Sequence, residues 1–170
     1  ANAIDVVFEA GDAGPVSAFG INLPNDQSIR ETHGSKSVSL SNVIEAGDRS
    51  TPQTMGSEFA WNPEEAARAG KWGAFAAELH TDMHEVIGHA SGRGSESLEG
   101  SPQEAIKEYF SALEEGRADL VALYFLADPK LAELRVVPAA DQEEIVRTEY
   151  EAYTRQALVQ LRRVRDRNEI

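Results

Sequence analysis

The spacing of two histidines constrains this chain more than any other feature. His84-Glu85-Val86-Ile87-Gly88-His89 sets two imidazoles five positions apart, with a carboxylate beside the first. On a regular α-helix, at about 100° per residue, positions i and i+5 point about 140° apart. Both rings reach one point only if the helix is widened locally or ends there. A one-residue π-bulge does this, and such bulges favour functional sites. Gly88 is the expected place for the distortion, because glycine adopts unusual dihedrals cheaply. The flanking residues predict the helix itself. Asn62-Pro63-Glu64-Glu65 combines an N-cap, proline at the first position and acids near the positive dipole end. Phe75, Leu79, Met83 and Val86 or Ile87 then recur at helical spacing. Gly70 and Gly73 leave one helix or two possible up to about residue 90.

Two neutral imidazoles and a carboxylate form the donor set of a catalytic zinc, which keeps a further position for water. The ion lowers the pKa of that water to about 7. A carboxylate that is not a ligand must then take the proton. His84 and His89 are the candidate ligands and Glu85 the candidate base. A second acidic cluster, Glu114-Glu115-Gly116-Arg117-Ala118-Asp119, follows about one helix later. Glu115 and Asp119 are four apart and share a helix face. Glu115 is the candidate third ligand, and Asp119 can accept the free N–H of a ligating imidazole. Glu114 could serve the other histidine, and Arg117 pairs with a neighbouring acid. The plain alternative is a solvated acidic face. Against it, Ala112, Leu113, Ala118 and Leu120–Leu123 make the surroundings apolar, where carboxylates need partners. His80 and His84, four apart, are a rival metal pair; His84 with His89 is preferred because it sets Glu85 beside a ligand. His80 then serves packing or support, and His33 carries no signal. Trp61, Trp72, Phe75 and Phe110 read as core.

The rest of the chain supplies a scaffold. At 170 residues with 41% hydrophobic and 26% charged residues, it is long and apolar enough for one core. A net charge of −13 argues against nucleic acid and anionic membrane as partners. Without cysteine there is no disulfide and no thiolate metal site. That fits a cytoplasmic protein and leaves the periplasm open. No apolar run approaches the ~20 residues of a membrane span, and no signal peptide is visible. The chain lacks an initial Met and is expected to begin inside a longer protein. Residues 4–8 and 16–23 read as strands, the second stopped by Leu23-Pro24-Asn25, with a helical turn near Ser28–Thr32. Ser37–Ile44 suits a strand or a short helix, and 47–52 a loop. After a loop over 91–100, Ser101-Pro102-Gln103-Glu104 is a capping box opening a helix to about Ala127. Ile106, Phe110, Leu113, Leu120, Leu123, Tyr124 and Ala127 carry its apolar side. A short helix runs from Asp128-Pro129 to near Arg135. Asp141-Gln142-Glu143-Glu144 opens the last helix, to about Asp166, with Ile145, Tyr150, Tyr153, Ala157, Leu161 and Val164 as its buried stripe. The basic run 162–167 is a solvated helix end. The expected fold is mainly α: an arm over 1–58 with short strands, then a helical metal-binding domain over 59–170.

At its two motifs the chain resembles the dipeptidyl peptidase III family of zinc metallopeptidases, defined by H-E-x-x-G-H followed by E-E-x-R-A-[E/D]. Gly20-Ile21-Asn22-Leu23-Pro24-Asn25 and Lys36-Ser37-Val38-Ser39-Leu40-Ser41-Asn42-Val43 resemble two further family segments. The resemblance implies a zincin-like helical site holding Zn2+ by His84, His89 and Glu115. It implies Glu85 as general base, Glu114 and Asp119 as carboxylates behind the histidines, and Asn22 and Asn25 as holders of the bound peptide's backbone. The peptide would add to a neighbouring strand by β-pairing. The implied reaction releases dipeptides from the N-terminus of short peptides. Family enzymes are several times longer, with two lobes over a cleft, so the remaining lobes of a parent enzyme are implied partners. The short loop between the motifs is more like bacterial members. Family members also use a downstream histidine and an upstream tyrosine; no histidine follows His89. The expectation is therefore an excised zinc-bearing part that lacks groups needed for full activity. The non-enzymatic alternatives are a metal-stabilised helical binding or regulatory module, and a metal-free helical interaction domain.

Overall fold

Ser37, Val38 and Ser39 alternate between two faces of an extended segment, and that segment is the middle strand of a small sheet. In the computed structural model, which describes residues 2–8, 10, 18–24, 26–50 and 59–161, β1 is Asn2–Ile4, β2 is Gly20–Leu23 and β3 is Lys36–Leu40. Their order is β1-β3-β2, with β1 parallel and β2 antiparallel to β3. Ile21 pairs with Val38 and Asn22 with Ser37. The first strand is shorter and earlier than expected. Residues 5–8 leave the sheet, and Val7 and Phe8 are exposed. The Val6 backbone is instead held by Asn42, which accepts from Val6 N at 3.0 Å and donates to Val6 O at 2.8 Å.

Among the described residues the helices are α1 Gln27–His33, α2 Ser41–Ser50, α3 Pro63–Met83, a π-helix His84–His89, α4 Pro102–Ile106, α5 Phe110–Leu126, α6 Lys130–Glu133 and α7 Gln142–Leu161. None is long and apolar enough to cross a membrane. The ambiguous stretch 37–44 contains both structures: strand to Leu40, helix from Ser41. That helix absorbs 47–50, expected as loop; 51–52 lie outside the described residues, as does the basic run 162–167. Asn62 caps α3, its Oδ1 accepting from Glu65 N at 2.8 Å, and Gly70 and Gly73 do not break the helix. The capping box at Ser101 and Glu104 forms. Its helix is not continuous to residue 127, however. Lys107 takes a φ of 59°, a 3-10 turn Lys107–Tyr109 follows, and α5 starts afresh at Phe110.

The chain divides into two compact units that interleave along the sequence: Ala1–Arg49 with Glu78–Leu126, and Ser50–Ala77 with Ala127–Ile170. The boundary expected at 58/59 adjoins 51–58, outside the described residues. In the first unit the π-helix packs against α5, β2 and β3. In the second, Ala76, Leu131, Val137 and Ile145 form the apolar core. The stripe expected on α7 is corrected there. Ile145 is buried, but so are Thr148 and Glu149, while Tyr150 is 42% exposed. Thr148 is satisfied locally, its Oγ1 donating to Glu144 O at 2.7 Å, and Arg68 grips the half-buried Glu151 through Nε at 3.2 Å and Nη2 at 2.7 Å. Glu65, also buried, pairs with Arg155. Trp61, read as core, is 91% exposed.

Candidate metal centre

The widened turn falls on the motif, with His84 its first residue and His89 its last. Hydrogen bonding from i to i+5 stacks the ends of such a turn on one side, so the two rings meet at a centroid distance of 4.6 Å. Gly88 serves this turn in a way that differs from the expected dihedral freedom. A Cβ there would lie 2.8 Å from Ala118 O and 2.9 Å from Ala118 Cα. Glycine is required because the π-helix lies directly on the α5 backbone. Small residues answer from the other side, Ala118 and Ala122 being fully buried.

The same geometry decides which face of α5 turns inward. Glu115, Ala118, Asp119 and Ala122 follow the i, i+3, i+4, i+7 pattern of one helix face, and this face meets the π-helix. The larger residues expected in the core are displaced: Leu113 is 58% exposed, Leu120 69% and Tyr124 76%. Bulk on the inner face would hold the helices apart and separate the acids from the histidines.

The imidazole nitrogens are assigned by their partners. His84 Nδ1 lies 2.7 Å from Asp119 Oδ1, and His89 Nδ1 lies 3.1 Å from Glu114 Oε1. A carboxylate only accepts, so both Nδ1 atoms carry hydrogen, and in the neutral rings both Nε2 atoms present lone pairs. Those lone pairs face one another at 2.9 Å. The Glu115 carboxylate completes the group, 3.3 Å from His84 Nε2 and 3.6 Å from His89 Nε2. Three electron-pair donors converging this closely repel unless a proton or a cation lies among them. Zinc bonds of about 2.0–2.2 Å at tetrahedral angles set donors about 3.3–3.6 Å apart. The two carboxylate spacings, 3.3 and 3.6 Å, match that range, while the 2.9 Å between the Nε2 atoms is shorter. His84, His89 and Glu115 could therefore hold a metal ion.

The surrounding charges sustain the arrangement. Burial opposes a charge on His84, yet the hydrogen bond and charge of Asp119, with Glu85 and Glu115 nearby, raise its pKa. His80 Nε2 stands 3.6 Å from the same Asp119 oxygen. Burial also weighs against charge on Glu114, but the Arg117 fork, at 2.9 and 2.7 Å, and His89 hold its carboxyl below the ordinary range. Arg30, which no motif pointed to, donates to His89 O at 2.8 Å and lies 3.9 Å from Glu114 Oε1. Glu85 is 8% exposed, and burial raises its pKa despite the two histidines.

Asn22 sits on β2 facing the π-helix, 7% exposed. Its Nδ2 donates to Glu85 O at 2.9 Å and lies 3.0 Å from Ser35 Oγ and 2.7 Å from Ser37 Oγ. Asn25 lies outside the described residues. No motif marks Arg30 or Ser35, which are ordinary polar residues until the fold brings them to the site.

Several known proteins are similar to this chain. Dipeptidyl peptidase 3 of Mus musculus is 26% identical over 84% of this chain, and that of Nematostella vectensis 38% identical over 44% of it. The chain spans 22% of the length of the mouse protein. A structure of DPP III from Caldithrix abyssi superposes with a TM-score of 0.63 at 29% identity, covering 87% of this chain and 27% of that one. The model of peptidase family M49 matches residues 3–100, more than half of the sequence and including both histidines. On that match, with the histidine site now described, the chain belongs to peptidase family M49.

Proposed function

We propose that this chain is the zinc-bearing segment of a dipeptidyl peptidase III-type exopeptidase, which removes dipeptides from the N-terminus of short peptides. The observation that carries the reading is the convergence of two imidazole lone pairs and the Glu115 carboxylate, with Asp119 and Glu114 behind the rings. His84, His89 and Glu115 would hold the ion. Zinc there would supply Lewis acidity, enough to make water a nucleophile near neutral pH. Asp119 and Glu114 fix the ring orientations and keep each Nδ1 protonated. The Glu85 carboxylate takes the proton of the attacking water and passes it to the leaving amine. Its raised pKa suits both halves of that task, since a catalytic acid–base works best near the ambient pH.

Peptide docking is supported by β2. It pairs with β3 alone among the described strands and exposes Ile21 and Leu23. An extended peptide can add to such an edge, with Asn22 and Asn25 as its backbone contacts. Asn22 turns its amide N–H groups inward, and its Oδ1 is buried without a hydrogen-bond partner among the described residues. The small share of the relatives' length supports further segments completing the cleft. Elemental analysis of the purified chain tests the core of the reading. About one zinc per chain, lost in Glu115→Ala, is expected. Failure to take up zinc from excess overturns it. With the flanking segments of the parent enzyme restored, dipeptide release from arylamide-capped peptides, abolished in Glu85→Gln, is the expected activity.

A further inference from the structure

Gly20 has no exceptional backbone angle, yet it occupies a place where no side chain fits. A Cβ built on it would lie 2.5 Å from Glu85 Cγ, 2.9 Å from Glu85 Cδ and 2.8 Å from Glu85 Oε1. All three are side-chain atoms of one residue, which is 8% exposed, so an added Cβ would have to displace that carboxylate arm. Two positions along the same face of β2, Asn22 meets the backbone of the same glutamate. The Glu85 carbonyl accepts from Asn22 Nδ2 at 2.9 Å and from Ser37 Oγ at 3.0 Å. A π-turn disturbs the regular i to i+4 ladder, so carbonyls at its start need partners from outside. Side chains of two paired strands supply them here. Asn22 and Ser37 are register partners across β2 and β3, which sets both donors beside one carbonyl.

We propose that β2 is the positioning element for Glu85, with Gly20 leaving the space its carboxylate fills and Asn22, with Ser37, anchoring its main chain. Gly20 and Asn22 touch no reacting atom in this scheme; they act through Glu85. The scheme rests on the reading of Glu85 as the proton carrier. It adds that the sheet which would receive the peptide also sets where that carboxylate stands. A base displaced by about 1 Å loses about 100-fold in rate.

A thermal double-mutant cycle tests it without any need for turnover. Gly20→Ala lowers the melting temperature by several degrees in the parent chain. In a Glu85→Ala chain the same change has no effect, because the atoms it would meet are gone. If Gly20→Ala alone does not fold, a folded Gly20→Ala/Glu85→Ala chain is the supporting result. An equal loss in both backgrounds, or a double variant that also fails to fold, overturns the proposal. Zinc content is expected to stay near one per chain in Gly20→Ala; loss of zinc there would make Gly20 part of the ligand scaffold and overturn the proposal. For the zinc-loaded protein, dipeptide release by Gly20→Ala is expected to fall about 100-fold in kcat with KM within about twofold. A change confined to KM would instead assign Gly20 to peptide binding. If Glu85→Gln keeps full turnover while the thermal cycle still shows coupling, the base reading fails and the contact between strand and glutamate stands.

Discussion

The two compact units bury acids in different company. In the second, two acids meet arginines: Glu151 with Arg68, Glu65 with Arg155. Positive and negative charge cancel within the protein, and the pairs tie α3 to α7. In the first, Asp119 and Glu114 hold histidines whose other nitrogens face each other and the Glu115 carboxylate. There the donors converge on a shared point that could hold a metal ion. Acidic residues on helices are common to both units. What separates a structural pair from a metal site is whether the lone pairs end on a hydrogen-bond donor or on one another.

That contrast breaks most decisively through the ligands. His84→Ala or Glu115→Ala is expected to abolish stoichiometric zinc, and chelation of the parent chain to lower its melting temperature by about 5–10 °C, the shift for an ion held at about 100 times its Kd. Calorimetry with and without chelator checks this, and an unchanged transition would return the first unit to a merely structural role. Next come the carboxylates behind the rings. Asp119→Ala and Glu114→Ala are expected to weaken zinc by about 10–100-fold without removing it, measured by competition with a chromogenic chelator. Arg68→Ala sharpens the other side. It removes a two-pronged hydrogen bond to a charged group and is expected to lower stability, with zinc affinity unchanged. Denaturant titration gives the first value; a change in zinc binding would contradict the separation of roles.

The smallest effect is a dependence on acid. Burial pushes the Glu151 carboxyl up, but its hydrogen bonds to Arg68 and Arg147 prevail and hold it below the ordinary value of 4.5. A carboxylate depressed in the folded state stabilises above its unfolded pKa and loses that contribution as pH falls through the folded value. The contribution of this pair is therefore complete above about pH 4.5 and fades below it. Stability measured from pH 6 down to pH 3 is expected to fall less steeply in Arg68→Ala than in the parent chain.

Much of this was legible in the residues. The five-residue histidine spacing forces a widened turn on any helix that brings both rings together, and the π-helix spans those residues. The capping residues Asn62 and Ser101 mark helix starts because their side chains accept locally, without help from the fold. The ends and faces of the helices were harder. The break at Lys107 has no proline or glycine to announce it. The exposed Leu113, Leu120 and Tyr124 read as core because apolar residues surround α5 on several sides, and periodicity cannot choose among them.

By itself the sequence determined the inventory of the site: two imidazoles, their spacing, and an acidic helix carrying Glu114, Glu115 and Asp119 at intervals that alternate between partners. These are local facts, set by helical geometry over a few residues. Only the tertiary structure decided which atoms meet. Gly88 lies on the Ala118 backbone, Gly20 lies on the Glu85 carboxylate, and Arg30 and Asn22 reach across from distant segments to carbonyls of the π-turn. Such contacts join residues about 30 to 65 positions apart, and close packing at that range leaves no periodic trace in a single chain.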